Sequence, residues 1–280
     1  MSVYAEREFP FTTADFDCIR TLVNQHTGIV LSDAKRDLVY GRLTKRLRQL
    51  RLHSFQAYCQ VLQTGDLQEL EQLVNAITTN LTMFFREAHH FDMLGTTLLP
   101  ALRESKTPPR RLRIWSAGCS TGEEPYSIAM VCKAVLPDTE GWDVKILATD
   151  IDSQVLATAQ CGVYSVERVQ GLSSAHLQRW FRRGQGENTG LVRVVPALQE
   201  LITFRQLNLI HAWPMRGPFD IIFCRNVVIY FDKATQHHLF DRFADLLDPH
   251  GYLFVGHSES LFQSTGRFEL LGKTIYRRCR

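Results

Sequence analysis

The feature that most constrains this chain is a change in the period of its apolar residues after about residue 110. From about residue 12 to 95 they recur every three or four positions, as in Phe16-Ile19-Leu22-Val23, Val39-Leu43-Leu47-Leu50 and Leu67-Leu70-Leu73-Ile77. That spacing sets one side of a helix against a core. Asp15, Ser54 and Asp66 precede helical runs as candidate N-caps, and Gly28 and Gly65 punctuate them. Beyond the stretch Lys106-Thr107-Pro108-Pro109-Arg110-Arg111, short apolar runs at 112–115, 144–148, 202–205, 220–224 and 252–255 read as buried strands. Helical patterns at about 125–136, 153–160 and 233–247 alternate with them. Alternation of this kind predicts an α/β, doubly wound, largely parallel sheet. The segment 268–277 reads as a hairpin with its turn at Gly272-Lys273, which adds an antiparallel edge. Between Gly162 and Leu201 a helical run, a loop spaced by Gly184, Gly186 and Gly190, and the run Leu191-Val192-Arg193-Val194-Val195 predict a small β-rich insertion. The expected organisation is a helical domain over 1–95 and a sheet domain over 96–280, with the insertion at about 163–200.

Composition narrows the function classes. With 45% hydrophobic and 22% charged residues the chain is an ordinary globular protein. Its apolar runs are too short for a membrane span and its start has no apolar signal core, so a cytoplasmic protein without membrane insertion is expected. The seven cysteines are scattered singly, without C-x-x-C, and read as reduced thiols. His89-His90 and His237-His238 lack the spacing of metal ligands, and no metal is expected. A formal charge of +3 does not by itself imply nucleic-acid binding, and none is expected.

Chemistry gathers at the strand ends. The first strand runs into Trp115-Ser116-Ala117-Gly118-Cys119-Ser120-Thr121-Gly122-Glu123-Glu124-Pro125, a tight loop where open α/β sheets bind ligands. It lacks G-x-G-x-x-G and carries Glu123 and Glu124 where a pyrophosphate would sit. Two carboxylates repel a phosphate and suit a ligand with cationic groups, such as S-adenosylmethionine; the alternative is a generic turn whose acids complement the helix dipole. The second strand ends at Thr149-Asp150-Ile151-Asp152, where Asp150 is placed to accept from ribose hydroxyls and Asp152 to cap the next helix. Further strand ends supply Asn208 and the pair Arg225-Asn226, which on chemistry alone serve equally as turn caps.

Taken together, Thr79-Asn80-Leu81-Thr82-Met83-Phe84-Phe85-Arg86-Glu87, the Trp115–Ser127 segment, Ala148-Thr149-Asp150-Ile151-Asp152, Phe223-Cys224-Arg225-Asn226-Val227-Val228-Ile229-Tyr230-Phe231-Asp232 and Gly256-His257-Ser258-Glu259 resemble the signature segments of the CheR-type chemotaxis receptor methyltransferases. The resemblance runs over essentially the whole chain in the family's order. It implies a protein-glutamate O-methyltransferase with an N-terminal helical domain, a Rossmann-like domain and a β-subdomain. By motif position it assigns Asn80, Thr82, Arg86, Gly118, Glu124, Asp150, Asn208, Leu209, Asn226 and Val227 to S-adenosylmethionine, with S-adenosylhomocysteine as product. Arg86, Arg225 and Tyr230 become candidates to orient the reacting carboxylate, structural support being the alternative for the last two. A glutamate, with a reference pKa of about 4.3, is already ionised at neutral pH and needs no general base.

The run from Lys35 to Arg51 contains Arg42, Lys45, Arg46 and Arg48 against a single acid, Asp37. A solvated face is the plain reading of such a run. The resemblance implies instead an acidic partner, the cytoplasmic helical methylation region of chemoreceptors, with Arg42, Lys45 and Arg46 binding it at membrane-bound receptor arrays. A receptor's C-terminal tether peptide is a candidate to add a strand to the β-subdomain at 184–195, though structural filler fits equally. The competing functions are a nicotinamide-dependent oxidoreductase, disfavoured by the missing glycine pattern, and a non-catalytic S-adenosylmethionine-binding sensor or scaffold. A serine hydrolase fails because Gly256-His257-Ser258-Glu259-Ser260 lacks the second glycine of G-x-S-x-G.

Overall fold

The computed structural model describes residues 7–136, 140–261 and 266–279. Two compact units divide the chain: Met1–Thr79 with Tyr230–Asp232, and Asn80–Ile229 with Lys233–Arg280.

The first unit holds helices α1 (Thr13–Thr27), α2 (Arg36–Leu50), α3 (Phe55–Gln63) and α4 (Leu67–Ile77). Their apolar stripes meet in one core containing Phe16, Ile19, Val39, Leu43, Leu47, Phe55, Tyr58 and Leu73. Ser54 and Asp66 cap α3 and α4, each accepting from the first turn. The cap of α1 is Thr12; Asp15 lies three residues in and closes a capping box with it, which corrects the expected cap by one turn.

The second unit is built on a seven-stranded sheet of β1 (Arg111–Ala117), β2 (Asp143–Asp150), β6 (Ile202–Gln206), β7 (Phe219–Cys224), β8 (Leu247–Val255), β9 (Phe268–Gly272) and β10 (Ile275–Arg278). The order is β6-β2-β1-β7-β8-β10-β9. Pairings from β6 through β8 are parallel, and β10 is antiparallel to both neighbours. Parallel neighbours need crossovers, supplied in part by α7 (Glu123–Val135), α8 (Ser153–Cys161) and α11 (Lys233–Leu246). The β9–β10 turn falls at Lys273-Thr274, both with positive φ, one residue beyond the expected Gly272-Lys273. A separate antiparallel sheet of β3 (Val163–Ser165), β4 (Phe181–Arg183) and β5 (Leu191–Val194), in the order β3-β5-β4, forms the β-subdomain, with α9 (Ser174–Trp180) leading into β4 and α10 (Pro196–Gln199) leaving β5.

The boundary between the units falls at Thr79/Asn80, earlier than the 95 expected from the helical period. Helices α5 (Ala88–Met93) and α6 (Leu99–Ser105) continue that period, yet Phe91, Leu94, Leu98 and Leu99 are buried in the core of the sheet unit. Periodicity reveals that a face is buried, not which core buries it. All seven cysteines are free thiols.

Candidate functional site

Because β6, β2, β1, β7 and β8 run parallel, their carboxyl ends share one edge of the sheet, and the segments leaving them lie side by side. The loop after β1 bends back at once: the Gly118 and Cys119 amides both donate to the Thr149 carbonyl, at 2.8 and 2.9 Å. Gly118 has φ +87°, and a Cβ there would stand 2.3 Å from Cγ2 of Val227. Only glycine allows the loops after β1 and β7 to close to this distance.

Asp150, at the end of β2, is 8% exposed. It accepts from the Ser120 amide at 2.8 Å and the Asp152 amide at 3.0 Å. Burial pushes its carboxyl up, to about 6, against the pull of those backbone donors. A carboxylate offers roughly four acceptor positions, so two backbone bonds leave capacity for further donors. Asp152 caps α8 through the amides of Gln154 and Val155 and accepts from Asn80 Nδ2 at 2.7 Å. The Ser120 hydroxyl donates to the Asn80 carbonyl at 3.0 Å, so Asn80 is fastened to two loops. The Leu207 amide donates to the Asp150 carbonyl at 2.9 Å, bringing Asn208 and the buried Leu209 alongside.

After β7, Arg225 is buried as a clamp. Its guanidinium lies 3.1 Å from Glu124 and 3.3 Å from Glu87, donates to the Arg86 carbonyl, and stands 5.5 Å over the Phe91 ring. Glu124 is also held by the Ser116 hydroxyl at 2.7 Å. Burial raises the Glu124 carboxyl despite Arg225. At Glu87 burial pushes the same way, but the His257 hydrogen bond and the Arg225 charge outweigh it and hold the group at about 2. Arg86 itself reaches back to the Leu81 carbonyl at 2.8 Å, and the Thr82 carbonyl accepts from Arg168 at 3.2 Å.

Glu259 was not assigned a role by sequence reasoning. Buried after β8, it accepts from the backbone amides of Gly256 at 2.6 Å, Asn226 at 2.7 Å, Val227 at 2.8 Å and Ile229 at 3.3 Å. These bonds hold Asn226 at φ +59°. The quoted Gly256-His257-Ser258-Glu259 segment contains the residue, but its four partners lie mostly thirty residues upstream and no spacing reveals them.

The edge thus carries a carboxylate with spare acceptor capacity, two amide side chains, a glycine-shaped loop and apolar Leu209 and Val227. That set fits a nucleoside with vicinal hydroxyls, a polar base edge and a base face. The N-terminal segment 14–78 matches the all-alpha domain of the CheR methyltransferases, and 80–277 matches their S-adenosylmethionine-binding domain. The chain belongs to the CheR methyltransferase family. Chemotaxis protein methyltransferase 2 of Pseudomonas aeruginosa is 46% identical, over 98% of this chain and 96% of that protein. The chemotaxis protein methyltransferases of Escherichia coli and Klebsiella aerogenes are 46% and 44% identical, over 94% and 96% of this chain and 90% and 91% of theirs. This CheR-family chain is an S-adenosylmethionine-dependent methyltransferase rather than a nicotinamide enzyme or a binding module.

All ten residues assigned to the cofactor by motif lie in the sheet unit, together with Arg225. Tyr230 groups with the helical unit, where its carbonyl accepts from the Val30 amide at 2.8 Å and Phe231 bridges Ile29. In the same unit Arg42 donates to the Ile77 and Thr78 carbonyls at the end of α4, at 2.5 and 2.9 Å. Arg46 pairs in bidentate fashion with Glu69, at 2.8 and 2.5 Å, and Tyr58 donates to the same carboxylate. Lys45 is exposed. The acid that answers Arg46 comes from α4, outside the run whose charges were counted.

Proposed function

We propose that this CheR-family enzyme transfers the methyl group of S-adenosylmethionine to glutamate side chains of chemoreceptors, forming methyl esters and S-adenosylhomocysteine. Support comes first from the match of both domains, over nearly the whole chain, to proteins named chemotaxis methyltransferases. When bound, the cofactor supplies an electrophilic methyl on a sulfonium; the C–O bond forms as the C–S bond breaks and its electron pair stays on sulfur. Asp150 would hold the ribose hydroxyls, and Asn208, Leu209, Asn226 and Val227 the base and its edges. Glu124 and Gly118 would line the loop after β1. Asn80, Thr82 and Arg86 would close over the cofactor from the segment that enters the sheet unit.

The substrate carboxylate arrives ionised, so the protein's task is alignment and exclusion of water. Holding the oxygen about 3–3.5 Å from the methyl carbon contributes several kcal/mol. Both terminal nitrogens of Arg225 are engaged, by Glu87, Glu124 and the Arg86 carbonyl. Its part is to position Arg86, and Arg86 is the better candidate to meet the substrate. We place the reaction beside membrane-bound receptor arrays; no described helix is long and apolar enough to cross a membrane. The exposed Lys45 would face the acidic methylation helices, and the β4–β5 strands would take up a tether peptide where a receptor carries one.

The deciding experiment is transfer of labelled methyl from S-adenosylmethionine to candidate receptor cytoplasmic domains, followed by base treatment. Release of labelled methanol is expected. Base-stable label, or none with any receptor, would reject the ester-forming reading.

A further inference from the structure

We propose that Glu87, His89 and His90 form a binding site for a zinc-class divalent metal ion beside the Arg225 clamp. One ligand atom from each of the three lies within 4.8 Å of the other two. The linear sequence hides this site, because the two adjacent histidines have no ligand spacing of their own and the third member is a carboxylate before them.

The geometry around His90 carries the inference. The ring is fully buried, and its Nε2 sits 2.9 Å from the Lys273 carbonyl. A carbonyl only accepts, so Nε2 carries the proton in the neutral ring. This leaves the lone pair on Nδ1. That Nδ1 has no hydrogen-bond partner among the described residues, and neither does the Glu87 Oε2 it faces at 3.5 Å. Arg225, 3.3 Å from that Oε2, answers the carboxylate but not the imidazole, so among the described residues the buried Nδ1 lone pair has neither a donor nor a cation to meet it. Ligands held at about 2.1 Å around a tetrahedral ion stand about 3.4 Å apart, close to the separation seen. Metal-bound imidazoles commonly donate their other N–H to a carbonyl, as His90 does.

His89 completes the set. It is half-buried, with its ring centroid 4.2 Å from that of His90, and offers a nitrogen within 4.8 Å of the other two ligand atoms. The other carboxylate oxygen, Glu87 Oε1, is oriented by His257 Nδ1 at 2.9 Å. Two imidazoles and one carboxylate with a fourth position open to water suit zinc and its first-row neighbours, not magnesium or calcium. A bound ion would take the Glu87 oxygen that now lies 3.3 Å from Arg225. Occupancy therefore loosens the clamp that holds Arg86, and the site is inhibitory in sense.

The full-length protein should be titrated with Zn2+ alone, and with Co2+ as the spectroscopic probe. One saturable equivalent is expected, with visible Co2+ bands of a nitrogen and oxygen site and no thiolate charge-transfer band. The variant His89→Ala, at a half-buried position, and the isosteric Glu87→Gln should each weaken binding by about tenfold or more. Should Glu87→Gln fail to fold, His89→Ala decides. Absence of saturable binding, a thiolate band, or unchanged affinity in a folded variant would overturn the proposal.

Discussion

Replacing Glu259 by glutamine tests how the loop after β7 is held. The carboxylate accepts four backbone amides through two oxygens: Gly256 and Asn226 on one, Val227 and Ile229 on the other. Glutamine keeps a single acceptor oxygen, so whichever way it is seated, two backbone amides, buried or partly buried, face an NH2 group. Each amide left without an acceptor costs about 1–3 kcal/mol. Burial already penalises the Glu259 charge, whose pKa it raises, and glutamine relieves that penalty. A net loss of about 2–4 kcal/mol in unfolding free energy is expected. Asn226 then loses what holds it at φ +59°, a conformation that asparagine tolerates better than most side chains but does not prefer over the right-handed region. Affinity for S-adenosylhomocysteine should fall by about tenfold, which is roughly 1.4 kcal/mol, and KM for the methyl donor should rise more than kcat falls. Chemical denaturation and calorimetry read these quantities. An unfolding free energy within about 0.5 kcal/mol of the parent, together with unchanged affinity, would refute the reasoning.

Three further predictions follow from the same geometry. Asp150 has a folded-state pKa of about 6, above its usual 3.8, so its burial opposes the fold at neutral pH and this penalty declines as pH falls from 6 towards 3.8. Donation from ribose hydroxyls favours the ionised form; S-adenosylhomocysteine affinity should therefore be flat above about pH 7 and fall by up to about tenfold per unit below 6. Asp150→Asn should abolish that slope, and a slope surviving it would remove Asp150 from the site. Arg225→Ala leaves Glu124 buried and unpaired and should cost about 3–5 kcal/mol, whereas an Arg86→Ala protein should fold normally but nearly lose methyl transfer; full activity in the latter rejects its role at the cofactor. On α2, Arg46→Glu should destabilise by about 3–5 kcal/mol through Glu69, while Lys45→Glu should stay within about 0.5 kcal/mol of the parent in stability yet slow receptor methylation in a salt-dependent way. Unaltered methylation by Lys45→Glu at low salt would leave this face without a partner.

How much of this was legible in the sequence depended on the range of the interaction. The strands of the parallel sheet were readable because β1 and β7 are buried on both faces, so residues such as Ile114-Trp115 and Ile221-Ile222-Phe223 form unbroken apolar runs. Gly118 was readable as a loop residue, but the reason for it, the Val227 side chain 2.3 Å from where a Cβ would be, comes from a loop about a hundred residues on. The helical period, read to about residue 95, took in α5 but not α6, and could not say that the buried face of α5 belongs to the sheet unit.

Charges were the least legible part, because a sequence shows where charged residues are and not which of them are spent. Arg42 and Arg46 belonged to a basic run that read as a docking face. In the fold Arg42 satisfies the terminal carbonyls of α4, and Arg46 neutralises a glutamate that is 3% exposed. Desolvated pairing of that kind consumes a charge structurally, while an exposed lysine such as Lys45 keeps its field available for steering over about 8 Å in physiological salt. Glu124 and Arg225 repeat the pattern at the sheet edge: two residues read as ligands for an outside partner first satisfy each other. A charge can be assigned to function only after its partners inside the fold have been found, and by that test Arg86, whose guanidinium among the described residues holds a backbone carbonyl and no carboxylate, is the cation in the Asn80–Glu87 segment still able to act on a substrate.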